Sequence, residues 1–153
     1  GYINATPLQL AYYSAFLATK GRLNNFSFVQ DSKDHKKDTF ISENINLNDW
    51  AKIHESMVGV IENPKGTAGR LRALKDYIVA AKSGTVELVS TETKEDYQII
   101  REIEGQRDHA IIIAFGPMPN PEYAVSVVIE NGESGGSVAG PVAIAVLNSL
   151  IKE

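Results

Sequence analysis

Two apolar runs decide the fold of this chain. Residues 109–115 read HAIIIAF and residues 123–130 read YAVSVVIE, and both runs are rich in the β-branched residues that strands favour. The segment between them, GPMPNP at 116–121, contains three prolines, which no helix can cross. We therefore predict two antiparallel strands joined by this turn. The continuous apolarity of the first run indicates a strand that is buried on both faces.

Helices are predicted on the N-terminal side of these strands. Thr6-Pro7-Leu8-Gln9 is a capping box with proline at the first helical position, which predicts a helix over Thr6–Lys20. Its expected buried face is Leu8, Tyr12, Ala15 and Phe16. A second helix is predicted to begin near Asn48-Asp49 and to end at Asn63-Pro64. Its core-facing stripe is Trp50, Ile53, Met57 and Ile61.

The remaining segments complete an α+β order. Residues 77–81 and 85–89 read as β, separated by Lys82-Ser83-Gly84, and the charge-dense residues 91–108 read as a connection with some helix. A flexible loop is expected at 131–137, and a closing helix over Val138–Ile151. The stripe of that helix is Val142, Val146, Leu147 and Leu150. Helices, a meander of three strands and a helix indicate α+β rather than alternating βαβ units.

Composition excludes several functional classes. The 153 residues carry a net charge of −4 and no cysteine, which argues against a nucleic-acid binder and excludes a disulfide scaffold, a zinc ribbon and a thiol nucleophile. The longest apolar run, 109–118, is far shorter than the roughly 20 residues of a membrane span. His35, His54 and His109 lack metal-ligand spacing, so neither a metal nor another cofactor is expected.

Lys82-Ser83-Gly84-Thr85 is the candidate site. Glycine weakens a strand, so its presence there indicates that something must approach the backbone closely. The lysine supplies positive charge, the two hydroxyls can hold a carboxylate, and an exposed backbone N–H can stabilise an oxyanion. The same four residues also occur by chance in edge strands, so the pattern alone leaves both interpretations open. The glycine-rich loop at 131–137 lacks a Gly-Lys-Ser/Thr ending and is interpreted as a plain connection.

Several segments, in order, resemble the class B penicillin-binding proteins, whose superfamily shares Ser-x-x-Lys, Ser-x-Asn and Lys-Thr-Gly motifs. The resemblance is carried by residues 1–10, Gly66-Thr67-Ala68, Ala80–Thr85 (with serine in place of the motif's threonine), Asp108-His109, Ala114–Pro117, Asn131-Gly132 and Gly140–Ala143. Together these segments extend over essentially the whole chain. They are most similar to the elongation-type group of that family, the penicillin-binding protein 2 group of rod-shaped Gram-negative bacteria.

The resemblance implies a fold and a place within it. Residues 1–153 would be the C-terminal portion of a transpeptidase domain of the penicillin-binding-protein and serine β-lactamase type, with three antiparallel strands flanked by helices. The nucleophilic serine, its lysine base and the Ser-x-Asn motif would lie upstream. Ser149–Lys152 and Ser42-Glu43-Asn44 match these motifs formally, but both stand at the wrong place in the family's order. This chain alone is therefore expected to be inactive.

The resemblance also implies a role for each site residue. Lys82 would attract the terminal carboxylate of the substrate and help to move protons, Ser83 and Thr85 would hydrogen-bond that carboxylate, and Gly84 would let the acyl donor lie along the strand. The N–H of Thr85 would form half of the oxyanion hole. Lys82 and Thr85 are thus the expected catalytic residues, and no metal takes part.

The activity so implied is D,D-transpeptidation of cell-wall elongation through a serine acyl-enzyme, with peptidoglycan stem peptides as substrates and β-lactam antibiotics as inhibitors. The parent protein would be anchored at the periplasmic face of the inner membrane, with membrane proteins of the elongation complex as partners. Alternatives are a β-lactamase or D,D-carboxypeptidase of the same fold, and a non-catalytic β-lactam sensor.

The resemblance carries one consequence for folding. The family's sheet has five strands, and its N-terminal strands pair beside the last one. Without them, Tyr123–Glu130 would expose an apolar edge, which invites pairing with another chain. We therefore expect this chain alone to self-associate by edge pairing or swapping, or to be held by a separate N-terminal piece.

Overall fold

A computed structural model describes residues 4–23, 40–41, 44–89, 93–103 and 105–151. The elements are α1 (Pro7–Ala18), β1 (Arg22–Leu23), β2 (Phe40–Ile41), α2 (Leu47–Glu62), a 3-10 helix (Gly69–Leu74), β3 (Ala80–Val86), α3 (Lys94–Glu102), β4 (His109–Gly116), β5 (Tyr123–Ile129), a π-helical turn (Gly135–Ala139) and α4 (Gly140–Ile151). The predicted α+β order is confirmed. His35, most of the Ser42-Glu43-Asn44 match and Lys152 lie outside the described residues.

The main sheet has the order β3-β4-β5, with both pairings antiparallel. Its register places Lys82 opposite Ile113, and Ile113 opposite Ser126. β4 is the central strand, and its run from Ile112 to Gly116 is buried. The prediction of a strand buried on both faces is therefore confirmed.

Two apolar clusters cover the two faces of this sheet. On one face, Ile112 and Ala114 of β4 pack with Leu71 of the 3-10 helix and with Ile144 and Leu147 of α4. On the other face, Ile113 and Phe115 pack with Leu17 of α1 and with Trp50 and Met57 of α2. Alternate residues of one strand thus serve two cores, because successive side chains of a strand point to opposite faces.

The predicted buried face of α4 is largely wrong, and that of α1 is wrong at Leu8, whereas Tyr12, Ala15 and Phe16 are half-buried and Phe16 packs against the cluster that contains Trp50. In α1 the buried residues are Ser14, Leu17 and Ala18, whereas Leu8 is exposed. In α4 they are Gly140, Ala143, Ile144 and Leu147. Of its predicted stripe only Leu147 is buried, since Val142, Val146 and Leu150 are 38–44% exposed.

The same physical reason explains both errors. The two helices are apolar on several sides, so hydrophobic spacing does not single out one face. In α4 the small residues determine which face is buried, because they let the helix approach its neighbours closely. A Cβ on Gly140 would lie 2.7 Å from Leu71 Cδ1.

Predictions from short sequence motifs, such as helix caps and strand ends, are more accurate than those of buried helix faces, and three of them need correction. The α1 capping box is present, with Gln9 N donating to Thr6 Oγ1 and Thr6 N donating to Gln9 Oε1. The cap of α2 is Asn46, which accepts from Asp49 N at 3.0 Å, and not residue 48 or 49. The two β segments predicted around residues 82–84 form the single strand β3, and the loop expected at 131–137 becomes helical at Gly135. Helix in the 91–108 connection is confirmed as α3.

Candidate active site

The four predicted site residues lie on β3, at an edge of the main sheet. Among the described residues, β3 pairs with β4 on one side and with no strand on the other. Lys82 and Thr85 are exposed, and Ser83 and Gly84 are half-buried. An unpaired edge presents its backbone N–H and C=O groups to an extended peptide, so β3 is able to receive one by strand addition.

The side chains of these residues divide between the two faces of the strand. Ala81 belongs to the cluster beneath α4, and Ala80 to the cluster beneath α2. Since side chains alternate, Ser83 and Thr85 share the face of Ala81, and Lys82 lies on the opposite face. The two hydroxyls therefore stand side by side, while the ammonium group approaches the strand edge from the other face.

Lys82 places its charge beside the site's own backbone. Its Nζ donates to the carbonyl oxygen of Ser83 at 2.6 Å. An ammonium group has three N–H donors, so this contact leaves two for a ligand. Because the side chain is exposed, its charge is available to an anion laid along the strand.

Ser83 shares a hydrogen bond with a residue that the sequence analysis did not place in the site. Its Oγ lies 2.8 Å from Oγ1 of Thr67, in the loop between α2 and the 3-10 helix. The available signal was the Gly66-Thr67-Ala68 segment, which contributed to the resemblance but was not assigned a role.

Thr85 is tied to the loop that follows β5. Its Oγ1 donates to the carbonyl oxygen of Glu133 at 3.2 Å, and the N–H of Glu133 donates to the carbonyl oxygen of Asp108 at 2.8 Å. Glu133 has a φ of 61°, in the left-handed region that non-glycine residues adopt at some cost in energy. Glu133 therefore joins β3 to the start of β4 through its own backbone.

Helix α3 holds the side chain of Glu133 through Arg101. Nε of Arg101 lies 2.5 Å from Glu133 Oε1, and Nη2 lies 3.1 Å from Oε2, which makes a bidentate ion pair. The hydrogen bond from Arg101 holds the pKa of the Glu133 carboxyl below its usual value. A second tie runs from Tyr97 OH to Oδ2 of the buried Asp108, at 2.6 Å, and this hydrogen bond raises the pKa of Tyr97.

Two glycines lie at the site, Gly84 within β3 and Gly135 against the backbone of β3 and β4. A Cβ on Gly84 would lie 3.6 Å from Ile111 Cβ, an ordinary van der Waals distance, so the described neighbours leave room for an alanine there. A Cβ on Gly135 would lie 2.1 Å from the carbonyl oxygen of Ile111 and 2.5 Å from that of Gly84. The loop therefore requires glycine at 135, whereas internal packing does not explain the glycine at 84.

The described histidines have structural contacts. Nε2 of the buried His54 lies 2.8 Å from the carbonyl oxygen of Leu17, and its ring packs against Phe115. Nδ1 of His109 accepts from Asn131 N at 3.0 Å. Across the described part of the chain, no three His, Asp or Glu residues gather as metal ligands, and no helix is long and apolar enough to cross a membrane.

Comparison with known proteins identifies the family of this chain. Residues 1–148 match the family model of the penicillin binding protein transpeptidase domain. The peptidoglycan D,D-transpeptidase MrdA of Escherichia coli K12 is 31% identical over 145 residues, which are 90% of this chain and 23% of that protein. The chain thus spans about a quarter of the length of this curated relative.

Solved structures show the same likeness. The Pseudomonas aeruginosa PBP2 in complex with WCK 5153 matches with a TM-score of 0.76 and 30% identity, covering 100% of this chain and 32% of that one. The Helicobacter pylori PBP2 in complex with MreC matches with a TM-score of 0.71 and 28% identity, covering 97% of this chain and 25% of that one. The fold, the position of Lys82-Ser83-Gly84-Thr85 on an open strand edge and the match over residues 1–148 show that this chain belongs to the penicillin-binding protein transpeptidase domain family.

Proposed function

We propose that residues 1–153 form one wall of the active site of a peptidoglycan D,D-transpeptidase of cell-wall elongation. They are the C-terminal portion of its transpeptidase domain, and the nucleophilic serine and its lysine base lie elsewhere in a longer polypeptide. The observation that carries the proposal is Lys82-Ser83-Gly84-Thr85 on the open edge of β3. The room for a methyl group at Gly84 is consistent with it, because packing among the described residues does not demand glycine there, whereas a peptide lying close to the strand would.

The geometry suits a donor peptide that ends in a carboxylate. The peptide lies antiparallel along the edge of β3, and Gly84 offers no side chain to obstruct it. The terminal carboxylate forms an ion pair with the ammonium group of Lys82. It also accepts a hydrogen bond from a hydroxyl group on the face of the strand that carries Ser83. The N–H of Thr85 supplies one donor of the oxyanion hole, and the N–H of the nucleophilic serine supplies the other.

The reaction is acyl transfer in two steps. The serine Oγ attacks the carbonyl carbon that precedes the terminal D-alanine, its proton passes through the general base to the leaving amine, and D-alanine departs. An acceptor amine then attacks the resulting ester, losing a proton as the serine hydroxyl re-forms. A β-lactam acylates the same serine, and its ring carboxylate occupies the place of the peptide's carboxylate.

The setting of this reaction is the periplasmic face of the bacterial inner membrane, where peptidoglycan stem peptides are the substrates. The likeness to the E. coli and H. pylori proteins supports this location. The H. pylori PBP2 was solved with MreC, which supports an elongation-complex protein as a partner of the longer polypeptide that contains this chain.

Residues 1–153 in isolation self-associate through β5. Within the described residues, β5 pairs with β4 alone, and all seven of its residues are partly exposed. Beside it, α4 exposes Val142, Val146 and Leu150. Light scattering at high protein concentration should show dimers or larger species, and a monodisperse monomer would contradict the proposal.

Labelling with a fluorescent penicillin tests the main proposal. The full-length polypeptide should take a covalent label, and residues 1–153 alone should take none. In the full-length protein, Lys82→Gln should slow labelling strongly, whereas Lys52→Gln, which removes the same charge from the exposed Asp49–Lys52 pair on α2, should not. A label on residues 1–153 would place the nucleophile within this chain, and an unlabelled full-length protein would refute the proposal.

The lifetime of the covalent label distinguishes a transpeptidase from a β-lactamase of the same fold. A transpeptidase keeps its β-lactam acyl group for long periods, whereas a β-lactamase hydrolyses it quickly. A sensor module keeps the label but releases no D-alanine from a stem peptide. Persistent labelling together with D-alanine release and formation of a cross-linked product is the expected result.

A further inference from the structure

The three hydroxyls beside the site, on Thr67, Ser83 and Thr85, hold three protons, and contacts among the residues that the structure describes use two of them. Thr85 gives its proton to the carbonyl oxygen of Glu133. Ser83 and Thr67 share one hydrogen bond, which uses the proton of one partner only. Since a hydroxyl has a single proton to donate, one proton of the Ser83–Thr67 pair is left for a ligand. Which partner keeps it depends on the direction of the hydrogen bond between them.

The backbone of Thr67 is firmly held, so its hydroxyl has a defined position beside Ser83. This backbone is clamped on both sides: a Cβ on Gly66 would lie 2.3 Å from the carbonyl oxygen of Val60, and Ala68, which is 1% exposed, donates its N–H to that same oxygen at 3.0 Å. The carbonyl oxygen of Thr67 lies only 2.5 Å from the position of a Cβ on Gly136. A threonine side chain is also stiffer at χ1 than a serine side chain.

We propose that Thr67 is a positioning residue for carboxylate recognition: its hydroxyl donates to Ser83 Oγ and so directs the Ser83 proton toward the carboxylate of a peptide or β-lactam. A hydroxyl that accepts one hydrogen bond is polarised and becomes a better donor in the next. Thr67 acts through Ser83 and does not touch the reacting atoms. This role rests on the proposed function, because it concerns the same site.

The test compares isosteric variants of the full-length protein. Acylation is measured over a range of penicillin concentrations, which separates the half-saturating concentration from the limiting rate. Thr67→Val should raise the half-saturating concentration about fivefold, the loss expected for one hydrogen bond, and leave the limiting rate unchanged. Thr67→Ser should restore the wild-type value. Thr19→Val is the matched control, since Thr19 is exposed and its hydroxyl donates to the carbonyl oxygen of Ala15 at the end of α1.

A penicillin methyl ester distinguishes positioning from a structural role. The ester has no free carboxylate, so its slower acylation should be insensitive to Thr67→Val. An equal loss for acid and ester would show a structural effect and overturn the proposal, as would wild-type kinetics of Thr67→Val with the acid. A wild-type protein that takes no label would instead refute the proposed function, and with it this role.

A double-variant comparison covers the case in which Thr67→Val is poorly folded. Because Thr67 acts through Ser83, the loss of affinity caused by Thr67→Val should require the Ser83 hydroxyl. In the Ser83→Ala background, Thr67→Val should cause no further loss of affinity in the folded fraction that labels. Additive losses would overturn the proposal.

Discussion

Replacing Gly135 by alanine would place a methyl group against the backbone of two strands. The new Cβ would lie 2.1 Å from the carbonyl oxygen of Ile111, 2.5 Å from that of Gly84 and 2.9 Å from the N of Gly84. Cβ atoms essentially never approach such atoms closer than 3.0 Å, so the loop or the strands must separate by at least about 0.9 Å. All three contacts are backbone atoms, so no side chain can rotate away to relieve them.

The expected cost of Gly135→Ala is about 3 kcal/mol, at the upper end of the range for overpacking, because a strand ladder yields less than a side chain does. The measurement is urea unfolding of the full-length protein, followed by circular dichroism. Gly59→Ala is the matched control: among the described residues nothing lies within 4 Å of a Cβ there, and alanine in place of glycine inside α2 should stabilise the helix by about 1 kcal/mol.

Gly135→Ala should also slow acylation by penicillin. The strands separate at Gly84, next to the Thr85 N–H that serves the oxyanion hole in the proposed mechanism. A Gly135→Ala protein with the stability and acylation rate of the wild type would refute the packing of this loop on β3. Equal destabilisation by Gly59→Ala would show that the assay reports any added methyl group rather than this contact.

Three further predictions concern the supports of the site. Glu133→Gln should destabilise the protein at neutral pH, because Arg101 holds the folded-state pKa of Glu133 below its ordinary value of 4.5. The difference from wild type should be complete above that ordinary value, shrink as the pH falls below it and vanish only once the pH is below the lowered folded-state pKa, as urea unfolding at several pH values will show. Tyr97→Phe should remove one tyrosine that ionises above pH 10, because its hydrogen bond to a buried carboxylate raises the pKa of Tyr97, and absorbance titration will detect the loss. Leu147→Ala should cost about 2–5 kcal/mol in urea unfolding because Leu147 is fully buried, whereas Leu150→Ala, at a position 38% exposed, should cost clearly less.

The parts of the fold that sequence predicted correctly depend on local chemistry. The capping box of α1 needs only residues Thr6 and Gln9, which lie three positions apart, and the structure forms both of its hydrogen bonds. The β-branched run of β4 and the prolines that follow it define a strand and a turn without reference to distant residues. Each of these motifs is recognisable from a few neighbouring residues, without knowledge of the contacts made in the folded chain.

The helix faces were not predictable in the same way. α1 and α4 offer apolar residues in several directions, and the sheet selects the face that approaches most closely. In α1 that choice buries Ser14, whose Oγ donates to the carbonyl oxygen of Ala114, one hundred residues away in sequence. A serine with such a partner loses little by burial, and no periodicity of apolar residues reveals it.

The same distinction applies to the site. The four residues on β3 are contiguous in sequence and were therefore found together. Their supports are not: Thr67 lies 16 positions before Ser83, and Glu133 lies 48 positions after Thr85. The folded chain brings these pairs together, and their residue types alone do not indicate a hydrogen bond between them.

In the proposed function, β3 is an edge strand that receives a peptide, so the neighbour that would normally hold its outer side is the ligand. β3 is therefore held on one side by β4 and on its face by elements outside the sheet. Gly135 packs against the backbone at Gly84, and the hydroxyl of Thr67 shares a hydrogen bond with that of Ser83. The carbonyl oxygen of Glu133 accepts a hydrogen bond from the hydroxyl of Thr85. These contacts fix the side chains beside the outer edge of β3, on which no strand pairs among the described residues. In the proposed function, β3 can thus orient an acyl donor and still be open to it, while Gly135 packs against the backbone of Gly84 and of Ile111 in β4.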